Sequence, residues 1–134
     1  MAENIKNPYA EIRILILEDQ FETRVLIRRL LAQIGFRLIH QGESGVDGFR
    51  ELLRVKPDVI LCDIHMASMD GMTFLRKLRG ISAREFSEIP VIFLTSDRQS
   101  ATVENAVGLR VDGYLAKPVS LTALKGHLDA VLFA

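Results

Sequence analysis

Residues Val59-Ile60-Leu61-Cys62 form an apolar run that stops on a carboxylate, Asp63. A strand with one wet face would alternate polar and apolar residues. An unbroken run of this length reads instead as a strand buried on both faces, the kind found inside parallel sheets. Asp63 stands where such a strand emerges, at its carboxyl end, and ligands bind at that edge in open parallel α/β sheets. The stretch therefore constrains the whole chain, because the faces of such a sheet must be covered by other elements.

The remaining pattern supplies them. Residues 1–11 are a polar lead-in, with Asn4, Asn7 and Pro8. Ile12 to Leu17 is the first strand and ends on two acids, Glu18-Asp19. Val25, Leu26, Leu30, Leu31 and Ile34 keep helical spacing, with Arg24, Arg28 and Arg29 turned largely outward. Gly35 stops this helix as a C′ glycine would. Phe36 to Gln41 is a more polar second strand, expected at an edge. Ser44-x-x-Asp47 resembles a capping box and opens a helix that runs to about Val55, closed by Lys56-Pro57. After the Val59–Cys62 strand, Asp70-Gly71 is a turn signal before a helix from about Met72 to Arg79. Gly80 to Ile89 reads as a loop of about ten residues. Val91 to Leu94 is the fourth strand, followed by Thr95-Ser96-Asp97. Ser96-x-x-Gln99 is a capping box for a helix reaching about Leu109. Val111 to Ala116 is the fifth strand and ends at Lys117-Pro118. The last helix places Leu121, Leu124, Leu128, Val131 and Leu132 on one stripe, with Lys125, His127 and Asp129 facing out.

Five strands alternating with five helices predict an α/β fold, a parallel sheet with helices on both faces and right-handed crossovers. The chain of 134 residues is long enough for one domain with a real core. Its 17 basic and 17 acidic residues cancel, which argues against direct nucleic-acid binding. A single cysteine, Cys62, can make no internal disulfide and fits a reducing, cytoplasmic setting. No apolar run approaches the roughly 18 residues of a membrane span.

Four of the five expected strands end in a group able to bind ions or phosphate: Glu18 and Asp19, Asp63, Thr95, and Lys117. In the flavodoxin-like strand order 2-1-3-4-5 the first and third strands are neighbours, and three carboxylates converge. Like charges disfavour mutual ionisation, so the cluster calls for a counter-charge. Magnesium suits it, because that ion accepts one or two carboxylates, keeps waters and bridges to phosphate. Each residue has a plainer explanation alone: Asp19 as an N-cap paired with Glu22, Asp63 as a turn acid, Thr95 as a cap, Lys117 as a solvated lysine. Their joint arrival at one edge favours phosphoryl transfer to a carboxylate nucleophile. Asp63 is the best nucleophile, since it stands alone at the end of the central strand.

The sequence resembles the receiver domain of two-component response regulators over about residues 12 to 133. The matching pieces are Ile14-Leu15-Ile16-Leu17-Glu18-Asp19, Asp63-Ile64-x-Met66, Met69-Asp70-Gly71, Ile89-Pro90-Val91-Ile92-x-Leu94-Thr95 and Tyr114-Leu115-x-Lys117-Pro118. The resemblance implies a flavodoxin-like (βα)5 sandwich over residues 12–134, acting as a phospho-switch, either stand-alone and chemotaxis-regulator-like or as the front of a longer regulator. It makes Asp63 the phosphoacceptor. Asp19, Asp63 and the backbone carbonyl of His65 become ligands to magnesium (or manganese), with Glu18 acting mostly through water. Thr95 and Lys117 then contact the phosphoryl group, Tyr114 is the switch aromatic, and Lys117-Pro118 is a cis bond. The implied partners are a histidine kinase or histidine phosphotransfer protein and a downstream protein target, met through the surface of the fourth helix, fifth strand and fifth helix. A phosphorylation-linked dimer is also compatible. No enzymatic turnover is implied beyond the protein's own phosphorylation and dephosphorylation.

Three departures from the family pattern stand out. Ala67 replaces a usual proline and loosens the loop after Asp63. Arg110-Val111 replaces a usual Gly-Ala, so Arg110 must accept a left-handed backbone or reshape the turn. His65 sits where the family tunes hydrolysis of the acyl phosphate. Cys62 reads as a small buried strand residue, and Met66, Met69 and Met72 as packing. His40, His65 and His127 make no metal spacing with Cys62. A magnesium phosphohydrolase with an aspartyl intermediate would want an acid two residues after its nucleophile, on the first strand, whereas here that position is His65, on the third. A flavodoxin-like electron carrier would have its flavin phosphate repelled by Glu18-Asp19. A receiver fold kept only for docking or dimerisation is opposed by the presence of every reactive group.

Overall fold

The computed structural model describes residues 6–96 and 108–133. It contains strands β1 (Arg13–Leu17), β2 (Leu38–Gly42), β3 (Val59–Asp63), β4 (Val91–Thr95) and β5 (Gly113–Ala116). Helices α1 (Phe21–Ile34), α2 (Gly45–Val55) and α3 (Gly71–Arg79) alternate with them, and a C-terminal helix spans Leu121–Phe133. All strand pairs are parallel, in the order β2-β1-β3-β4-β5. This is the expected flavodoxin-like order, with β3 central and β2 at an edge. The expected capping box Ser96-x-x-Gln99 and most of the helix after it lie outside the described residues; Gly108 is helical and Leu109-Arg110 form a turn.

The pleat divides the core in two. Ile14, Ile16, Val59, Leu61, Ile92 and Leu94 point toward α1 and the C-terminal helix, where they meet Ile27, Leu31, Leu124 and Leu128. Leu15, Leu17, Ile60, Cys62, Val91 and Phe93 point toward α2 and α3, against Leu52, Phe74 and Leu75. Every residue of β3 and β4 is buried, which is why neither strand shows polar alternation.

Several local expectations need correction. The buried stripe of α1 is Arg24, Ile27 and Leu31, not one that includes Leu26, which is 39% exposed. Arg24 faces inward because its guanidinium finds an acceptor there, whereas Arg28 and Arg29 are exposed. The Gly80–Ile89 loop contains one helical turn, Arg84–Ser87. β5 begins at Gly113 rather than Val111, because the Asp112 carboxylate turns back to accept the Val91 N–H at 2.8 Å. In the C-terminal helix Leu121 is exposed, while His127 and Asp129 are half-buried, the first beside Gly113 and the second bonded to Tyr9. Arg110 accepts the left-handed backbone, at φ 59°. The buried guanidinium of Arg79 secures that turn by donating to the carbonyls of Leu109 (3.2 Å), Arg110 (2.9 Å), Ser87 (2.9 Å) and Ile89 (2.8 Å).

Caps follow the sequence more closely. Gly35 ends α1 at φ 130°. Ser44 caps α2 by accepting the Asp47 N–H at 3.3 Å, but Asp47 returns its bond to the N–H of Glu43 rather than of Ser44. Asp70 caps α3 through the Thr73 N–H at 2.9 Å.

The lead-in is anchored from Asn7 onward. The Asn7 amide donates to the Gly35 carbonyl at 2.8 Å, and Tyr9 is buried between Phe36 and Phe133. Its hydroxyl donates to Asp129 at 2.6 Å. Tyr9→Ala should lower the unfolding free energy by about 3 kcal/mol in urea titrations, as loss of a buried ring does. The Lys125 ammonium, and then the Tyr9 hydroxyl, hold the Asp129 carboxyl below its ordinary 3.8. A depressed acid stabilises the fold above its unfolded value, and that contribution is lost as pH falls through the lower folded one. Asp129→Asn should accordingly flatten the acid limb of stability measured between about pH 5 and pH 2.

Candidate functional site

Register delivers the acids to one place. Leu17 pairs with Cys62, so Glu18-Asp19 and Asp63 leave adjacent strands side by side. One ligand oxygen from each of Glu18, Asp19 and Asp63 falls within 4.8 Å of the others. Glu18 is fully buried and Asp63 nearly so, while Asp19 is exposed at the mouth. Asp19 does not cap α1: the N-cap is Gln20, with no side-chain capping bond to the helix N–H groups.

Lys117 reaches in from the end of β5. Its Nζ lies 2.6 Å from Glu18 Oε1 and 3.1 Å from Asp63 Oδ2. Its backbone N–H donates to the Thr95 carbonyl at 3.0 Å, tying the ends of β4 and β5 together. The Lys117-Pro118 bond is cis. Asp63 Oδ1 accepts the His65 N–H at 3.2 Å, so its two oxygens are held from opposite sides. Thr95 is buried at the end of β4, and Tyr114 packs against Phe93 with ring centroids 6.2 Å apart. His65 is exposed on the rim of a cleft of about 470 Å³, shared with Asp19, Asp63, Ser96 and Lys117. A cleft of about 480 Å³ at the amino edge, between Arg13, His40, Arg54 and Lys56, contains none of these acids.

Burial raises the Glu18 carboxyl to about 7, against the opposing effects of Lys117 and the Gln20 N–H. For Lys117 burial works the other way, but its contacts with Glu18 and Asp63 prevail and its pKa rises. Glu18 Oε1 is buried with the Lys117 ammonium at 2.6 Å as its partner, and the same ammonium is shared with Asp63. Three hard carboxylate oxygens within 4.8 Å of one another, with one shared ammonium to balance them, fit a small divalent cation such as magnesium.

The sequence reading missed two contributors. Arg24 donates from Nη1 to the Glu18 carbonyl at 2.7 Å. Its place three and seven residues before Ile27 and Leu31, the buried positions of α1, was the available signal. The other is Gly71, whose turn role was read but not its packing. A Cβ there would sit 2.3 Å from the Asp63 carbonyl oxygen, and the Gly71 N–H donates to the Ile64 carbonyl at 2.8 Å. The start of α3 thus presses on the backbone that carries Asp63. Ala67 is exposed, and the next residue, Ser68, adopts φ 70°.

The comparisons agree on what this arrangement is. The family described as Response regulator receiver domain matches residues 14–129. The chain is 30% identical over 122 residues to the chemotaxis protein CheY1 of Helicobacter pylori, covering 90% of this chain and 97% of that one. The receiver domain of the sensor histidine kinase PA1611 from Pseudomonas aeruginosa, solved with magnesium coordinated in its active-site cleft, superposes with a TM-score of 0.83 at 26% identity, over 93% of this chain and 100% of that one. The chemotaxis protein CheY4 of Vibrio cholerae gives a TM-score of 0.84 at 23% identity, over 92% and 100%, and shares the fold. The chain belongs to the response regulator receiver family.

Gly71→Ala should cost about 1–3 kcal/mol, the usual range for forcing an atom into a packed site, because the obstacle is backbone. Urea unfolding measures the cost, and amide shifts at Asp63 to His65 should report the displaced loop.

Proposed function

We propose that this receiver accepts a phosphoryl group on Asp63 from the phosphohistidine of a histidine kinase or histidine phosphotransfer protein. The observation that carries the reading is the Lys117 ammonium set between Glu18 and Asp63, with Asp19 completing the oxygen set at the open mouth. An Asp63 oxygen attacks phosphorus as the P–N bond breaks, the partner's imidazole leaves, and an acyl phosphate remains on Asp63. Lys117 neutralises the charge that moves onto the phosphoryl oxygens. Asp19, Asp63 and the His65 carbonyl hold magnesium or manganese, with Glu18 acting through water. When bound, the ion supplies the remaining positive charge that the phosphoryl oxygens require.

The new group carries nearly two negative charges and three strong acceptors. Thr95 donates its hydroxyl to it from the end of β4. Tyr114 lies one strand over, paired with Phe93, and takes up the space that Thr95 vacates. The surface built on the segment before β5, on β5 and on the C-terminal helix then changes its affinity for a protein target. The protein works as a phosphorelay switch, not an enzyme with turnover, and a phosphorylation-linked dimer is one form its output takes. Cys62, buried and unpaired, suits a cytoplasmic setting.

Incubation with magnesium and acetyl phosphate followed by intact-mass measurement should show one added phosphoryl group, and Asp63→Ala should show none. No gain in the wild type, or an equal gain in the variant, contradicts the assignment. Lys117→Ala should slow the gain by about 100-fold, the scale of removing one preorganised charge from a transferring group. A module used only for docking should also leave hydrogen exchange of the β4–β5 segment unchanged on adding beryllofluoride. The phospho-switch reading expects that exchange to slow. Sustained turnover of a small phosphoester would instead indicate a phosphohydrolase.

A further inference from the structure

We infer that Arg24 is a positioning residue for the Glu18-Asp19 pair, and that divalent-cation affinity depends on it. The inference rests on the cation-binding reading above. β1 stays in register with its neighbours only as far as Leu17. The Glu18 N–H still reaches the Gly42 carbonyl at 3.1 Å, but the Glu18 carbonyl has left the ladder. Arg24 supplies its donor, at 2.7 Å from Nη1. The carbonyl belongs to the peptide plane joining Glu18 to Asp19, so holding it sets where the Asp19 Cα sits and narrows the directions its side chain can take. Asp19 is exposed and has little packing to hold it, yet its carboxylate must lie beside two buried ones.

The guanidinium is itself restrained. It stands 3.6 Å from Glu43 Oε1 and 5.8 Å above the Phe21 ring, with only 9% of its side chain exposed. Glu43 is 70% exposed and contributes weakly. A cation buried this far is costly unless its donors are used, and the bond to Glu18 is the short one. Groups that orient metal ligands without touching the metal typically change affinity by about 10–100-fold when removed.

The test uses the full chain and manganese alone, titrated by electron paramagnetic resonance without any phosphodonor. Arg24→Met keeps the apolar stem and removes the donors. It should weaken manganese binding by about 10–100-fold. Arg24→Lys, which retains a charge and a donor, should recover part of the loss. Arg28→Met, on the exposed face of the same helix, should bind as the wild type does. In the cation-free protein, hydrogen exchange of the Asp19 to Phe21 amides should accelerate in Arg24→Met more than urea stability alone accounts for. Manganese affinity within twofold of wild type for folded Arg24→Met overturns the inference. If Arg24→Met does not fold, Arg24→Gln, whose shorter amide cannot span the same distance, takes its place, and manganese affinity within twofold of wild type there overturns the inference equally. A wild type that binds no manganese overturns the cation reading itself, and this inference falls with it.

Discussion

Two carboxylates buried side by side, with one ammonium between them, set the terms for the rest of this molecule. Glu18 and Asp63 leave neighbouring strands at the same level because β1 and β3 pair in register, and Lys117 arrives from β5 to meet both. Such a group of charges is unstable in isolation, since desolvation favours the neutral acid and mutual repulsion adds to that. The elevated Glu18 carboxyl shows the balance tilted in this direction even with Lys117 present. The surrounding structure can be understood as what holds this arrangement at the edge of water: β3 and β4 buried along their whole length, a loop after Asp63 pinned by Gly71, and a cleft open on one side.

The architecture was largely legible in the sequence because its strongest signals are local and periodic. Apolar runs gave β3 and β4, and acids or Lys-Pro at strand ends marked the edge where chemistry gathers. The relative order of the strands came with the resemblance to the receiver family, not from the residues alone, and the register then brought Glu18, Asp19, Asp63 and Lys117 together. What could not be read were contacts in which a polar group satisfies an acceptor far from its own segment. Arg24 looked like surface because charged residues usually are. It is inside because the carbonyl of Glu18 needs a donor after the ladder ends. Arg79 likewise ends a helix in the sequence but in space joins two connectors through four backbone carbonyls. The lead-in misled for the opposite reason: Tyr9 is one aromatic in a polar stretch, and only the distant Phe36, Phe133 and Asp129 make it core.

Arg110 shows how the two kinds of information combine. The sequence posed a choice between a strained backbone and a reshaped turn. The molecule takes the strained backbone, at φ 59°, with Arg79 gripping the carbonyl of that residue. A left-handed non-glycine residue persists where surrounding bonds over-determine it, and Arg79 provides them. The departure from the family pattern is therefore local, and it leaves the carboxylate cluster on the far edge of β3 untouched.

The alternation that splits the core also governs the chemistry through the length of β3. Val59 and Leu61 face α1 and the C-terminal helix, Ile60 and Cys62 face α2 and α3, and Asp63 follows Leu61 in parity. Removing any one residue between Val59 and Asp63, with the pairing at the start of the strand preserved, would turn the carboxylate toward the apolar layer that holds Phe74 and Leu75, and bring no acid to the cleft in its place. Volume-conserving apolar exchanges within the strand leave the direction of Asp63 unchanged, whereas a change in their number does not.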